Sequence, residues 1–94
     1  MEVLATVLDP DERRVELTRD RWAHIVGGHP ELRAHRADVM RALGAPTVRM
    51  PGRGSGEEWF YLEGAGPSRY LKVVVRFRGD RGHVITAFAR RSMP

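Results

Sequence analysis

Cysteine is absent from this 94-residue chain, and lysine occurs once, as Lys72. The first absence excludes disulfides, thiolate chemistry and the sulfur ligands of a structural zinc site. It fits the cytosol, so a cytoplasmic location is the expectation. No apolar run approaches the roughly 18–20 residues that span a bilayer, and no membrane association is expected. The first residues, Met1-Glu2-Val3-Leu4, lack a basic stretch ahead of an apolar one, so no secretory signal is expected. Repeats, linkers and low-complexity tracts are also missing. The chain is expected to form one domain over residues 1–94.

A domain this short buries only about 60–65% of the surface that its unfolded chain exposes. It has room for one core, about one sheet against one helical layer. Apolar residues make up 41% of the chain, which is enough for that core.

Positive charge is in excess, at 16 Lys plus Arg against 12 Asp plus Glu, for a net +4. Every cation except Lys72 is an arginine. The planar guanidinium fork matches phosphate, but a GC-rich genome also enriches arginine, so the count alone is neutral. The distribution is more informative. Residues 69–91 hold Arg69, Lys72, Arg76, Arg78, Arg81, Arg90 and Arg91 against the single acid Asp80. That bias favours a polyanionic partner.

Residues 2–8 read as a strand, Asp9 to Glu12 as a turn, and Arg13 to Leu17 as a second strand that closes a hairpin. Thr18 is a helix N-cap, with Asp20 in the first turn and Leu17 and Trp22 at hydrophobic-staple positions. Trp22, Ile25 and Val26 share a face, and Gly27-Gly28 ends the helix. Pro30 and Glu31 suit the start of a second helix, whose apolar stripe is Leu32, Val39 and Leu43. Gly44 and Pro46 stop it. A short strand is expected near Thr47 to Met50, followed by a glycine-rich hairpin loop, Pro51 to Gly56. Strands over 58–63, 69–78 and 83–90 follow, joined by tight turns.

The expected fold is α+β. It has an N-terminal β-hairpin, two helices and a three- to four-stranded antiparallel meander, with the helices on one face of the sheet. Leu71, Val73, Val75 and Phe77 form the face toward the helices. Ile85, Ala87 and Ala89 divide from Val84, Thr86, Phe88 and Arg90 in the same way. The opposite face is expected to carry Tyr61, Tyr70, Lys72, Arg76, Thr86 and Arg90 as a cationic surface with exposed aromatics. Single-stranded nucleic acid suits such a surface, and so does plain solvent with ordinary cross-strand pairs.

The most suggestive segment runs from Trp22 to Leu32 and holds His24 and His29 at a junction between helices. Imidazole titrates near neutral pH. Five residues on a continuous helix rotate about 140°, so the two rings would not share a helical face. No cysteine or acidic third ligand accompanies them, so no metal is expected. Two readings stand for each: proton transfer, or a structural role as a cap (His29) and a half-buried packing residue (His24). His35 reads as packing and His83 as surface.

In order along the chain, the marks are Leu17-Thr18, Trp22, His24-Ile25, His29-Pro30-Glu31-Leu32, a helix running to Pro46, Tyr61, Tyr70-Leu71-Lys72-Val73-Val74-Val75 and Val84-Ile85-Thr86-Ala87-Phe88. This pattern, over roughly residues 12–90, resembles the phage and mobile-element branch of the barnase–EndoU–colicin–RelE nuclease superfamily. The resemblance implies a metal-independent, toxin-like ribonuclease without a cofactor. The ribose 2′-hydroxyl would attack phosphorus to leave a 2′,3′-cyclic phosphate. His24, His29, Lys72 and Thr86 would form the catalytic group. Arg76 and Arg90 would clamp phosphate, and Tyr61 and Tyr70 would contact the nucleic acid. RNA is the implied partner, with an antitoxin or immunity protein as a second one. The chain departs from the pattern at Gly28, where a basic residue is expected. The alternatives are a non-catalytic nucleic-acid-binding module and a protein-interaction domain.

Overall fold

Apolar Leu71, Val73, Val75 and Phe77 at every second position, with β-branched Val74 among them, drive Tyr70–Arg78 into a strand whose Leu71, Val73 and Val75 are fully buried. It lies inside a six-stranded sheet. The computed structural model describes residues 2–94. In it, β1 (Val3–Leu8) and β2 (Arg14–Thr18) form the hairpin, followed by α1 (Arg19–Gly28), a 3₁₀ turn (Pro30–Leu32) and α2 (Arg36–Gly44). Then come β3 (Val48–Pro51), β4 (Glu57–Glu63), β5 (Tyr70–Arg78) and β6 (Arg81–Arg90). No helix among the described residues is long and apolar enough to cross a membrane.

The strand order is β1-β2-β6-β5-β4-β3. The last four strands run as an antiparallel meander, but the whole sheet is mixed, because β2 joins β6 in parallel through Arg14–Glu16 and Arg81–His83. This corrects the purely antiparallel expectation. The hairpin contributes its own edge to the free edge of the meander, a pairing that no local turn specifies. It spans only three residue pairs, and beyond them α1 packs beside β6.

Both helices lie on one face of the sheet, where Ile25, Leu32, Val39 and Leu43 meet Val15, Leu17, Phe60, Leu71 and Val73. Thr18 caps α1 as its sequence predicts, its Oγ1 accepting from the Arg21 N–H at 3.2 Å. The second helix starts later than its stripe implies. Leu32 lies on the 3₁₀ turn, and α2 opens after His35. Leu32 and Val39 stand seven residues apart, a spacing that imitates one helix. His35 Nδ1 lies 3.1 Å from Asp38 Oδ2. The same carboxylate oxygen accepts the Gly66 N–H and so fixes the β4–β5 turn.

β6 contains a bulge. Val74 pairs with Thr86 but Val75 pairs with Val84, so Ile85 is one residue too many. Val84 therefore turns into the core, fully buried, rather than sharing a face with Thr86 and Phe88.

One polar cluster ties the sheet's distant strands together. Arg13 donates to both Glu58 carboxylate oxygens at 2.7 and 2.9 Å and to Asp9 Oδ2 through Nε at 2.9 Å. Its guanidinium lies 3.6 Å from the centroid of the Phe77 ring. The opposite side of that ring packs on Gly82, where an added Cβ would come within 2.6 Å of it. Asp9 also accepts the Asp11 and Arg13 N–H groups, which shapes the β1–β2 turn around Glu12 at φ 63°. Arg49 on β3 adds a bond to Asp11 at 2.9 Å.

Two outcomes follow for stability. Replacing Arg13 by Ala leaves the Asp9 side chain, which has 0% exposure, with only Arg49 at 3.6 Å as counter-charge, and strips Glu58 of its ion pair. Urea denaturation should show a loss of about 3 kcal/mol. The Asp38 carboxyl is held below its ordinary 3.8, first by the His35 hydrogen bond and also by the Gly66 N–H and Arg41. Its contribution is complete above pH 3.8 and fades as pH falls through the lowered folded value. Asp38→Asn should therefore be less stable than wild type at neutral pH, with the gap closing in strong acid.

Candidate functional site

The face of the sheet turned away from the helices is not the open cationic surface that strand parity implies. Tyr61 has 0% exposure and Lys72 6%. Cross-strand register explains why. Lys72 lies between Tyr61 on β4 and Phe88 on β6, and Trp59 is two residues from Tyr61 on the same face. The Lys72 ammonium sits 3.5 Å from the centroid of the Trp59 ring, 5.7 Å from Tyr61 and 5.4 Å from Phe88. Three rings thus enclose the only lysine in the chain.

Those rings are held in place. The Trp59 indole N–H donates to Glu57 Oε2 at 2.8 Å, and the same oxygen accepts the Arg53 N–H at 3.1 Å. Glu57 therefore anchors both the indole and the glycine-rich loop. These bonds hold its carboxyl below the ordinary carboxylate range. Phe88 is stacked on the His29 ring, with centroids 5.7 Å apart and planes inclined by 28°. Arg90 approaches the Phe88 ring to 5.9 Å. α1 ends at His29 beside the free length of β6, and this brings a helix-end residue to the far face of the sheet.

The electrostatics are unbalanced. Among the described residues no carboxylate lies within ion-pair distance of the Lys72 ammonium. Burial pushes its pKa down, Arg90 and Arg53 push it further, and only Glu57 opposes them. The Tyr61 hydroxyl is buried with no hydrogen-bond partner, and burial pushes its pKa up. An ammonium without a counter-ion, an orphan hydroxyl donor and a guanidinium free of carboxylates make a cluster that favours an anion.

The sequence-predicted residues divide cleanly. His29, Tyr61, Lys72 and Arg90 gather around Phe88. Thr86 lies on the same face, opposite Val74 and two register pairs from Phe88–Lys72. His24 stays exposed on α1, and no ion pair or ring contact joins it to the cluster. Arg76, on β5, reaches instead toward the glycine-rich loop, 3.8 Å from Glu57 and 3.5 Å from the Ser55 carbonyl. Tyr70 is buried under Arg69 and opposite Arg90, so its ring offers no open stacking face. The structure adds Phe88, Trp59 and Glu57. Phe88 alternates with Thr86 and Arg90, and that parity is the signal that marks it. His83 is exposed, as expected, and stands 3.9 Å from Glu16.

No three metal-ligating side chains converge among the described residues. A hollow of about 560 Å³ is bordered by Asp11, Glu57 and Glu58 and by Arg49, and its excess of carboxylates disfavours phosphate. The chain matches no protein-family model, and no curated protein or solved structure shows significant similarity to it.

Residues that burden the fold and serve a ligand should betray themselves. Tyr61→Phe removes an orphan hydroxyl and should raise stability by about 1 kcal/mol. Lys72→Met removes a buried charge. Because the folded pKa of Lys72 is depressed, wild type regains stability as pH rises through that value toward 10.5. Lys72→Met should therefore equal or exceed wild type at pH 7, with its advantage shrinking near pH 10. Urea denaturation at both pH values checks this, and an advantage that grows with pH would contradict it.

Proposed function

We propose that this chain is a metal-independent, ribonuclease-like domain that binds RNA at the Phe88–Lys72 cluster and cleaves it by transesterification. One observation carries the reading. Lys72 is buried without a counter-ion beside an orphan Tyr61 hydroxyl, and the Phe88 ring next to Lys72 also carries Arg90 and His29. A scissile phosphate would give the Lys72 ammonium, the Tyr61 hydroxyl and the Arg90 guanidinium the partner that each lacks. The half-buried Trp59 and Phe88 rings beside it suit unpaired bases, which favours single-stranded RNA over duplex. The sequence contains no asparagine or glutamine, so no side-chain amide is available to read base edges. Base-edge contacts therefore fall to arginine, hydroxyl and backbone groups.

In the proposed reaction the His29 imidazole takes the proton of the ribose 2′-hydroxyl. The oxygen forms a bond to phosphorus as the bond from phosphorus to the 5′-oxygen breaks. Lys72, made more acidic by burial, gives a proton to that leaving oxygen. Lys72 recovers a proton from solvent, and His29 returns its own. Arg90 and the Tyr61 hydroxyl stabilise the charge that builds on the phosphoryl oxygens, with Thr86 as a further donor. Gly28 adjoins His29 in open space, with nothing within 4 Å of an added Cβ, so a basic side chain fits there.

The isolation of His24 favours a second reading, a non-catalytic RNA-binding module. An antitoxin or immunity protein would have to present carboxylates to the same cluster.

Incubation with mixed-sequence RNA in the presence of a chelator decides between the two. The expected result is cleavage to 2′,3′-cyclic phosphate ends, reduced about 10²–10⁴-fold in His29→Ala and in Lys72→Ala. Wild type that cleaves no faster than either variant would overturn catalysis. Salt-sensitive binding without scission would leave the binding module.

A further inference from the structure

The far face of the sheet carries a second, unexplained cationic feature. Arg14 on β2 lies opposite Arg81 on β6, and Arg81 lies opposite Arg78 on β5. Three arginines therefore stand side by side across three adjacent strands. All three are exposed, and none forms an ion pair among the described residues. Asp80 and Glu12 border the same shallow hollow as Arg14 and Arg81, yet neither reaches ion-pair distance. Like charges directly opposite each other destabilise a sheet. Nothing in the local structure offsets that here: the row caps no helix, stacks on no ring and closes no salt bridge.

The row shares its face with Lys72. Along β5, Lys72, Val74, Arg76 and Arg78 alternate with the buried Val73, Val75 and Phe77, and no bulge interrupts β5. Six residues of strand separate Lys72 from Arg78, which is about 20 Å. The pair Arg76–His83 lies between the two ends. Glu57 and Glu16 flank that pair, each beside its own basic neighbour.

We propose that Arg14, Arg78 and Arg81 form a second phosphate-contacting station for the same RNA strand. The ligand is then a single strand several nucleotides long, anchored at Lys72 and running along β5 to the arginine row. This rests on the RNA reading of the Lys72 cluster. Guanidinium forks offer strong, directional contacts to phosphate oxygens, and the row's exposure leaves them free to follow a flexible backbone. The station supplies affinity and length dependence, and no step of the chemistry.

The test compares wild type, Lys72→Ala and the combined variant Arg14→Gln, Arg78→Gln, Arg81→Gln. The probes are 2′-O-methyl oligonucleotides, which bind without being cut, at two lengths: a dinucleotide and a strand of about 12 nucleotides. Lys72→Ala should lose affinity for both. The triple variant should match wild type on the dinucleotide and lose at least tenfold on the longer strand. Its plot of log affinity against log salt should be shallower by about 2, the loss of three single-strand phosphate contacts. Its thermal midpoint should be equal to or above that of wild type. Equal affinity of wild type and triple variant for the longer strand, with Lys72→Ala still impaired, would overturn the second station and leave the RNA reading standing. Failure of wild type to bind either probe would remove the RNA reading and the station with it. Retained RNA affinity together with loss of binding to polyglutamate would assign the row to an acidic protein instead, and that too would overturn the proposal.

Discussion

The curvature of this sheet depends on Arg13. In the strand order, β2 and β4 are separated by β6 and β5, so three strand spacings of about 4.8 Å lie between them. An arginine at the root of β2 does not cross that distance over a flat sheet. It reaches Glu58 because the sheet twists and curls, and the ion pair, with Phe77 stacked beneath, holds it so. Arg49 and Asp11 repeat the tie from β3 to the same turn. The curl lets one short helical layer cover a six-stranded sheet, and it leaves the other face free for polar work.

That other face is organised by a conflict. A lysine surrounded by three rings gains cation–π attraction but loses hydration, and no carboxylate makes up the loss. A core optimised for stability alone would place an apolar side chain there and a phenylalanine at Tyr61. Groups retained against stability mark places where the molecule waits for something else. Trp59 matters because it covers the ammonium and is itself tethered through Glu57 to a glycine-rich loop. Movement of that loop and exposure of the charge are mechanically linked.

Much of the fold can be read from residues whose signal is local. Thr18 caps a helix because a hydroxyl is wanted there, and β5 shows its two faces through simple alternation. The meander from β3 to β6 follows from short turns. What resisted reading has physical causes. The β2–β6 pairing joins residues 14–16 to 81–83 and leaves no local trace. The bulge at Ile85 is marked by neither glycine nor proline, so parity alone misplaces Val84. For the site, parity told which side Lys72 and Tyr61 face but not that Trp59, two residues from Tyr61 on β4, covers the Lys72 ammonium. His29, Tyr61, Lys72 and Arg90 were legible as chemistry-bearing types. Phe88 showed only through its parity with Thr86 and Arg90, and Trp59 did not show, because an aromatic on a strand looks like packing. His24 looked like half of a pair only because it is near His29 in sequence.

The long-range ladder between β2 and β6 also bears on timing. Contacts between residues so far apart form late, after local hairpins. Until strand 81–90 has been synthesised, the chain has no Phe88 for His29 to stack on, no Arg90 beside Lys72, and no edge for the N-terminal hairpin to join. Lys72 and Tyr61 can be in place on their own meander well before that. The complete Lys72 cluster and the curled sheet thus come into existence together, at β6.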